Sequence, residues 1–174
     1  RAPPAGGAAG SPRAAQPAPA DFVADLGAGD GRIAIAAARD FGARALGIEY
    51  DPKMAALAAR NAARSGVGDR VRVVEGDIFK EDFSRASVVT LYLLPELNLQ
   101  LRPTILAMAP GTRVVSYQFT MAEWEPDQVI RGAPWEAYLW IVPATVAGRW
   151  RIADGAGSEV ATIQLAQQFQ KVGG

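Results

Sequence analysis

Gly27, Gly29 and Gly31 stand close together in "DLGAGDGRI", between an apolar run and an alanine-rich stretch, with Asp25 before them and Asp30 among them. Glycine admits positive φ and lets a ligand approach the backbone with no Cβ in the way. A glycine turn that joins a strand to a helix is therefore a natural ligand cradle, and Gly27, Ala28, Gly29, Asp30 and Gly31 are its candidate contacts. Spacing and charge narrow the ligand. The dinucleotide fingerprint G-x-G-x-x-G sets a pyrophosphate against the helix N-terminus. Here the third glycine comes one residue early, Arg32 occupies the place of the last glycine, and Asp30 would face the pyrophosphate with a like charge.

A ligand with a cationic end and no phosphate suits Asp25 and Asp30 better. S-adenosylmethionine (SAM) is such a molecule, with an ammonium and a sulfonium. Two further acids fall where it would need them. Glu49, with Tyr50 beside it, ends the next strand-like run "ARALGIEY", about twenty residues beyond the glycines, where a carboxylate accepts both ribose hydroxyls. Asp77 follows "RVRVVEG"; its oxygen could accept the adenine amino group while the backbone of Ile78 reads the ring edge.

The elements that would position these residues can be read in order. "DFVADL" is a strand, "RIAIAAARDF" a helix and "ARALGIEY" a second strand, which makes a βαβ unit. Asp51 caps and Pro52 opens the next helix, "PKMAALAARNAARSG". Strands follow at 70–77, 86–95 and 112–119, with a helix between the last two that Pro103 kinks or divides. "WEAYLWIVPATVAGRWRIA" reads as an antiparallel hairpin around 143–148, and "EVATIQLAQQFQKV" as a strand of a small appended element. The expected fold is a Rossmann-like, doubly wound, mostly parallel α/β sheet with a C-terminal antiparallel hairpin. Residues 1–20, rich in Pro, Ala and Gly, are expected to be a disordered tail, 21–153 the ligand-binding domain and 154–174 a β extension or tail.

Composition excludes other chemistries. In 174 residues there is no cysteine and no histidine, so disulfides, thiolate nucleophiles and imidazole bases are absent, and no metal site is expected. The 18 basic residues balance 18 acidic ones and are interspersed, so no nucleic-acid partner is expected. No apolar run approaches the roughly 18 residues of a membrane span.

"DLGAGDG", "GIEYD" and "EGDIF" together resemble the first three motifs of the class I SAM-dependent methyltransferases, over roughly residues 21–119. Within that superfamily, "DLGAGDGRI" and "VVTLYLLPEL" are similar to small prokaryotic methyltransferases related to the mitochondrial-type and archaeal protein lysine methyltransferases. The resemblance implies SAM as cofactor, S-adenosyl-L-homocysteine as product and a bacterial source. It also implies a helical segment before the first strand, where this chain has its Pro/Ala run.

The methyl acceptor would meet the cofactor at the end of the fourth strand, where "TLYLLPE" places Thr90, Tyr92 and Glu96. Glu96 could orient a lysine ammonium and Tyr92 could wall the channel. The motif lacks the Asn/Asp-Pro-Pro-aromatic sequence that holds a flat base in nucleic-acid amino-group methyltransferases. N-methylation of protein lysine is the expected activity. The alternatives are a small-molecule N- or O-methyltransferase and a SAM-binding module without catalysis; a nicotinamide oxidoreductase is disfavoured by Asp30 and Arg32. Among the tryptophans, Trp124 in "MAEWEPD" is the best lid candidate, against a core role. Use of free SAM points to the cytoplasm, with export left open.

Overall fold

The computed structural model describes residues 14–132 and 135–174. The chain opens with β1 (Phe22–Leu26), α1 (Arg32–Phe41), β2 (Arg44–Glu49), α2 (Pro52–Arg64) and β3 (Val71–Glu75). It continues through β4 (Val88–Leu91), α3 (Pro95–Leu106), β5 (Arg113–Tyr117), β6 (Gln128–Gly132) and β7 (Trp135–Ile141). A last group, β8 (Gly148–Ala153), β9 (Glu159–Gln168) and β10 (Lys171–Gly173), forms a separate sheet.

Local chemistry explains the helix ends. The Asp51 side chain accepts from the backbone N–H groups of Lys53 and Met54, and Pro52 needs no donor at the first helical position. Gly42 ends α1 in the left-handed conformation, which costs a residue without Cβ little. Pro103 neither divides nor ends α3, which runs through it from Pro95 to Leu106.

The main sheet has the strand order β3-β2-β1-β4-β5-β7-β6. The pairs among β1 to β5 are parallel, whereas β7 runs antiparallel to both β5 and β6. Both faces are buried. Leu26, Ile48, Leu91, Ile105 and Trp140 build the core on one face, and Val23, Ala34, Ala38, Val88 and Val115 build it on the other. Because β1 lies between β2 and β4, the chain reverses its winding there, and the carboxyl ends of those strands leave a crevice.

The strand at 135–141 does not form a hairpin with the one at 148–153. It pairs with β5 and β6 instead, and β8 pairs with β9. After β7 the Val142 N–H donates to the Thr112 carbonyl, and Pro143 has no N–H with which to continue a ladder. The smaller sheet therefore starts at Gly148, ahead of the boundary expected at 154. Phe169, at the turn between β9 and β10, stacks on Trp124 with ring centroids 6.1 Å apart and lies 5.5 Å under the Arg102 guanidinium. Lys171 adds an ion pair to Glu125 at 2.8 Å, so the small sheet is tied to the segment that follows β5.

Of the expected tail 1–20, residues 1–13 lie outside the described residues. Of residues 14–20, Ala15 and Pro17 are buried and Gln16 and residues 18–20 are exposed, and the segment is anchored by one arginine. The Arg113 guanidinium donates to the carbonyls of Ala15 and Gln16 while pairing with Asp21 at 2.6 Å. Three hydrogen-bonding contacts from one guanidinium hold a segment whose composition alone provides little apolar area.

Candidate active site

A cavity of about 580 Å³ lies at the carboxyl ends of β1, β2, β3 and β4. Gly27, Ala28, Gly29, Glu49, Tyr50, Asp77, Ile78 and Tyr92 all line it, so residues from four separate sequence motifs converge on one space. Asp25, Asp30, Gly31, Thr90 and Glu96 do not line it.

The first loop is shaped by its neighbours. Gly27, Gly29 and Gly31 all have positive φ, at 78°, 56° and 81°. The N–H groups of Gly27 and Ala28 both donate to the Ile48 carbonyl, which binds the loop to β2. Glu49 completes that link: one carboxylate oxygen accepts from the Gly29 N–H at 2.7 Å and the other from the Asp51 N–H at 3.0 Å. Each oxygen keeps a second lone pair for a ligand hydroxyl.

Gly31 has a different task from the one its motif suggests. A Cβ there would lie 2.9 Å from the Ala58 Cβ, so this glycine lets α1 pack against α2 instead of admitting a ligand. Gly27 makes a similar close approach, 2.8 Å from Leu93. The close contact of loop and β4 is a matter of packing, which spacing does not reveal.

Asp25 in β1 and Asp30 in the loop also differ from the expectation that both would attract a cationic ligand end. Asp30 is held by the Arg32 guanidinium at 2.9, 3.1 and 2.6 Å, and this pairing keeps its carboxyl below the ordinary range. Asp25 is 1% exposed and sits beneath the loop. The Thr90 hydroxyl donates to one of its oxygens at 2.8 Å, while the other is buried with no hydrogen-bond partner. Burial pushes the Asp25 carboxyl up to about 7, against the Thr90 hydrogen bond that holds it down. Thr90 is fully buried and committed to Asp25, which places it behind the site rather than in contact with an acceptor.

Asp77 accepts from the Phe79 N–H at 3.0 Å, which closes the turn after β3, and lies 3.5 Å from the Lys80 ammonium. Tyr92 is half-buried on the cavity wall, edge-on to Tyr117 at 5.4 Å, and its hydroxyl donates to the Gln118 side-chain Oε1 at 3.4 Å. Glu96 is exposed in the first turn of α3, where the helix dipole favours an acid. Trp124 is fully buried and packed on Trp140, a core residue rather than a lid. The apolar wall of Met54, Phe79, Leu93 and Leu97 takes Phe79 from "EGDIF" and Leu93 and Leu97 from "VVTLYLLPEL", whereas Met54 lies outside those motifs, and only the fold brings the four together at the cavity.

The donor set discriminates among ligands. Glu49, Asp51 and Asp77 line the cavity, and its one basic residue, Arg32, is engaged with Asp30. A pyrophosphate would meet carboxylates with no free cation to balance it, whereas hydroxyls, an amino group and a positive charge all find acceptors. The cavity fits SAM.

Comparison with known proteins agrees. A "Protein-lysine N-methyltransferase" of Saccharolobus islandicus is 43% identical over 113 residues, 64% of this chain and 70% of the relative. The "Adenine nucleotide translocase lysine N-methyltransferase" of Mus musculus is 34% identical over 109 residues, 62% of this chain, and the match covers 48% of the relative's length. A crystal structure described as an RNA methyltransferase from Salinibacter ruber, in complex with S-adenosyl-L-homocysteine, superposes with a TM-score of 0.81 at 42% identity, covering 84% of this chain and 96% of that one. The ANTKMT methyltransferase domain matches residues 25–128, from the buried acid of β1 to the start of β6. This chain belongs to that family, and SAM is the cofactor of its class I methyltransferase fold.

Proposed function

We propose that the chain methylates lysine amines of protein. The observation that carries this reading is the site itself: an acid-rich cradle converging with Tyr92 and an aliphatic wall at the end of β4, in a chain 43% identical to a protein-lysine N-methyltransferase. When bound, SAM supplies a methyl group on a sulfonium, an electrophile that needs no metal or redox partner. The protein's share is to position. Glu49 accepts the ribose hydroxyls, Asp77 and the Ile78 backbone take the adenine edge, Tyr50 flanks it, and Gly27, Ala28 and Gly29 keep the loop low enough for backbone contact.

Tyr92 stands where an incoming amine would lie, and its hydroxyl oxygen can accept from a neutral ε-amine. Leu93 and Leu97 shield that amine from water, which favours its uncharged, nucleophilic form. Holding a nucleophile near attack distance is worth several kcal/mol without acid–base chemistry.

A second reading rests on the Salinibacter ruber structure, whose description names an RNA methyltransferase. The segment "TLYLLPE" has no Asn or Asp before its single proline to hold a base edge, which favours an aliphatic amine. Labelled-methyl transfer into a bacterial protein extract and into total RNA, with acid hydrolysis of the products, decides between them. Label in methyl-lysine is the expected result; label in nucleosides alone would overturn the proposal.

A further inference from the structure

Behind the sheet, at the opposite ends of the same strands, the chain has a second cavity of about 750 Å³. It arises from the connection between β3 and β4, residues 76–87, which contains no helix. That connection buries Phe83 and Ala86 against the sheet, while at the amino ends of β2 and β3 the side chains of Arg44 and Arg72 are exposed and Phe22 is only partly buried. Parallel strands are ordinarily covered on both faces.

Arginines occupy the opening. In the ladder Phe22 stands opposite Arg44, and Leu46 opposite Arg72, so alternation places all four on one face. Arg70 precedes β3 and Arg85 comes from the connection, and both line the same cavity. Four of the chain's basic groups thus surround a floor made by Phe22 and Leu46. The carboxylates of the lining offset this charge only in part: Asp69 faces Arg70 and Asp82 faces Arg85, whereas Arg44 and Arg72 have no ion pair among the described residues. Asp21 is committed to Arg113 at 2.6 Å and to the Ser87 hydroxyl at 2.7 Å. Asp82 accepts from the Ser84 N–H and keeps its charge near Arg85, and Asp69, 75% exposed, makes a loose, water-screened pair with Arg70 at 3.9 Å.

We propose that this cavity binds a phosphate-bearing anion of about pyrophosphate size through Arg44, Arg70, Arg72 and Arg85. Guanidinium forks match phosphate oxygens bidentately, and several of them around a partly apolar floor hold such a group better than scattered surface charges do. The cofactor cradle cannot serve this ligand, because its lining is acidic. The two cavities lie at opposite strand ends, roughly 13 Å apart along a five-residue strand such as β1. Occupying one therefore does not block the other.

The test is calorimetric titration of the whole chain at low salt with inorganic pyrophosphate and, in a separate arm, with a short single-stranded RNA. The double variant Arg44→Gln/Arg72→Gln should weaken pyrophosphate binding about tenfold or more. The exposed control pair Arg149→Gln/Arg151→Gln should leave it unchanged, and S-adenosyl-L-homocysteine binding should be the same in all three proteins. Arg44 and Arg72 are exposed and make no ion pair within the described residues, so both variants should fold. RNA binding much more tightly than pyrophosphate, with the same loss in the cavity variant, would identify a polynucleotide as the source of the phosphate. Comparable binding would identify a free phosphate compound. No pyrophosphate binding at millimolar concentration, or equal losses in the cavity and control variants, would overturn the proposal.

Discussion

The Glu49 carboxylate grips the Gly29 amide at 2.7 Å across twenty residues of chain, joining the end of β2 to the crest of the glycine loop. The same carboxylate takes the Asp51 N–H, so one side chain sets the loop, the entry to α2 and the acceptor for a ribose. Removing it should cost more than a ligand contact.

Glu49→Ala is expected to weaken SAM and S-adenosyl-L-homocysteine binding by about 1.4–2.8 kcal/mol, ten- to hundredfold, since a charged acceptor and two backbone bonds vanish together. Titration calorimetry on the folded variant measures it. Affinity equal to wild type would remove Glu49 from the cofactor site.

Gly31→Ala should act on stability. The new methyl lies 2.9 Å from Ala58 at a φ of 81°, so crowding and backbone strain combine. A loss of roughly 1–3 kcal/mol is expected from denaturant unfolding. Gly29→Val, by contrast, should exclude the cofactor from the cavity it lines. A Gly31→Ala protein as stable as wild type would contradict the close helix packing.

Asp25 makes stability depend on pH. Its carboxyl titrates near 3.8 in an unfolded chain and about 7 in the folded protein. Between those values the folded state keeps a proton that the unfolded chain has lost, so this group's contribution to stability falls as pH rises, at up to about 1.4 kcal/mol per unit, and levels off above about 8. Asp25→Asn abolishes that slope. Unfolding curves of both proteins from pH 4.5 to 8.5 should show their difference changing across the window; a constant difference would mean that Asp25 does not titrate there.

Tyr92 and Glu96 separate a residue in the site from one beside it. Tyr92→Phe should lower kcat about tenfold while leaving cofactor affinity intact, because only the acceptor loses a hydrogen-bonding partner. Glu96→Gln should leave kcat within about twofold and cost a few tenths of a kcal/mol of helix stability. Initial-rate kinetics on a lysine acceptor decide both, and a large drop for Glu96→Gln would bring that exposed acid back into the chemistry.

Much of this protein was legible in its residues. Alternating periods, Asp51 before Pro52 and the glycine turn determine a βαβ start, because capping, turn and propensity effects act over a few neighbouring residues. The placing of Glu49 and Asp77 at one cavity likewise follows from strand ends, which always face the same side of a parallel sheet. Tertiary structure decided the remainder. Only folded packing shows that Gly31 serves Ala58, that Asp30 is closed by Arg32, and that Asp25 and Thr90 lie buried behind the cradle. Only folding takes β7 into the main sheet, buries Trp124 beneath Phe169 and gathers Arg44, Arg70, Arg72 and Arg85 at one end of the strands. Those outcomes depend on which surfaces meet across long stretches of chain, and one sequence read alone contains no distance between them.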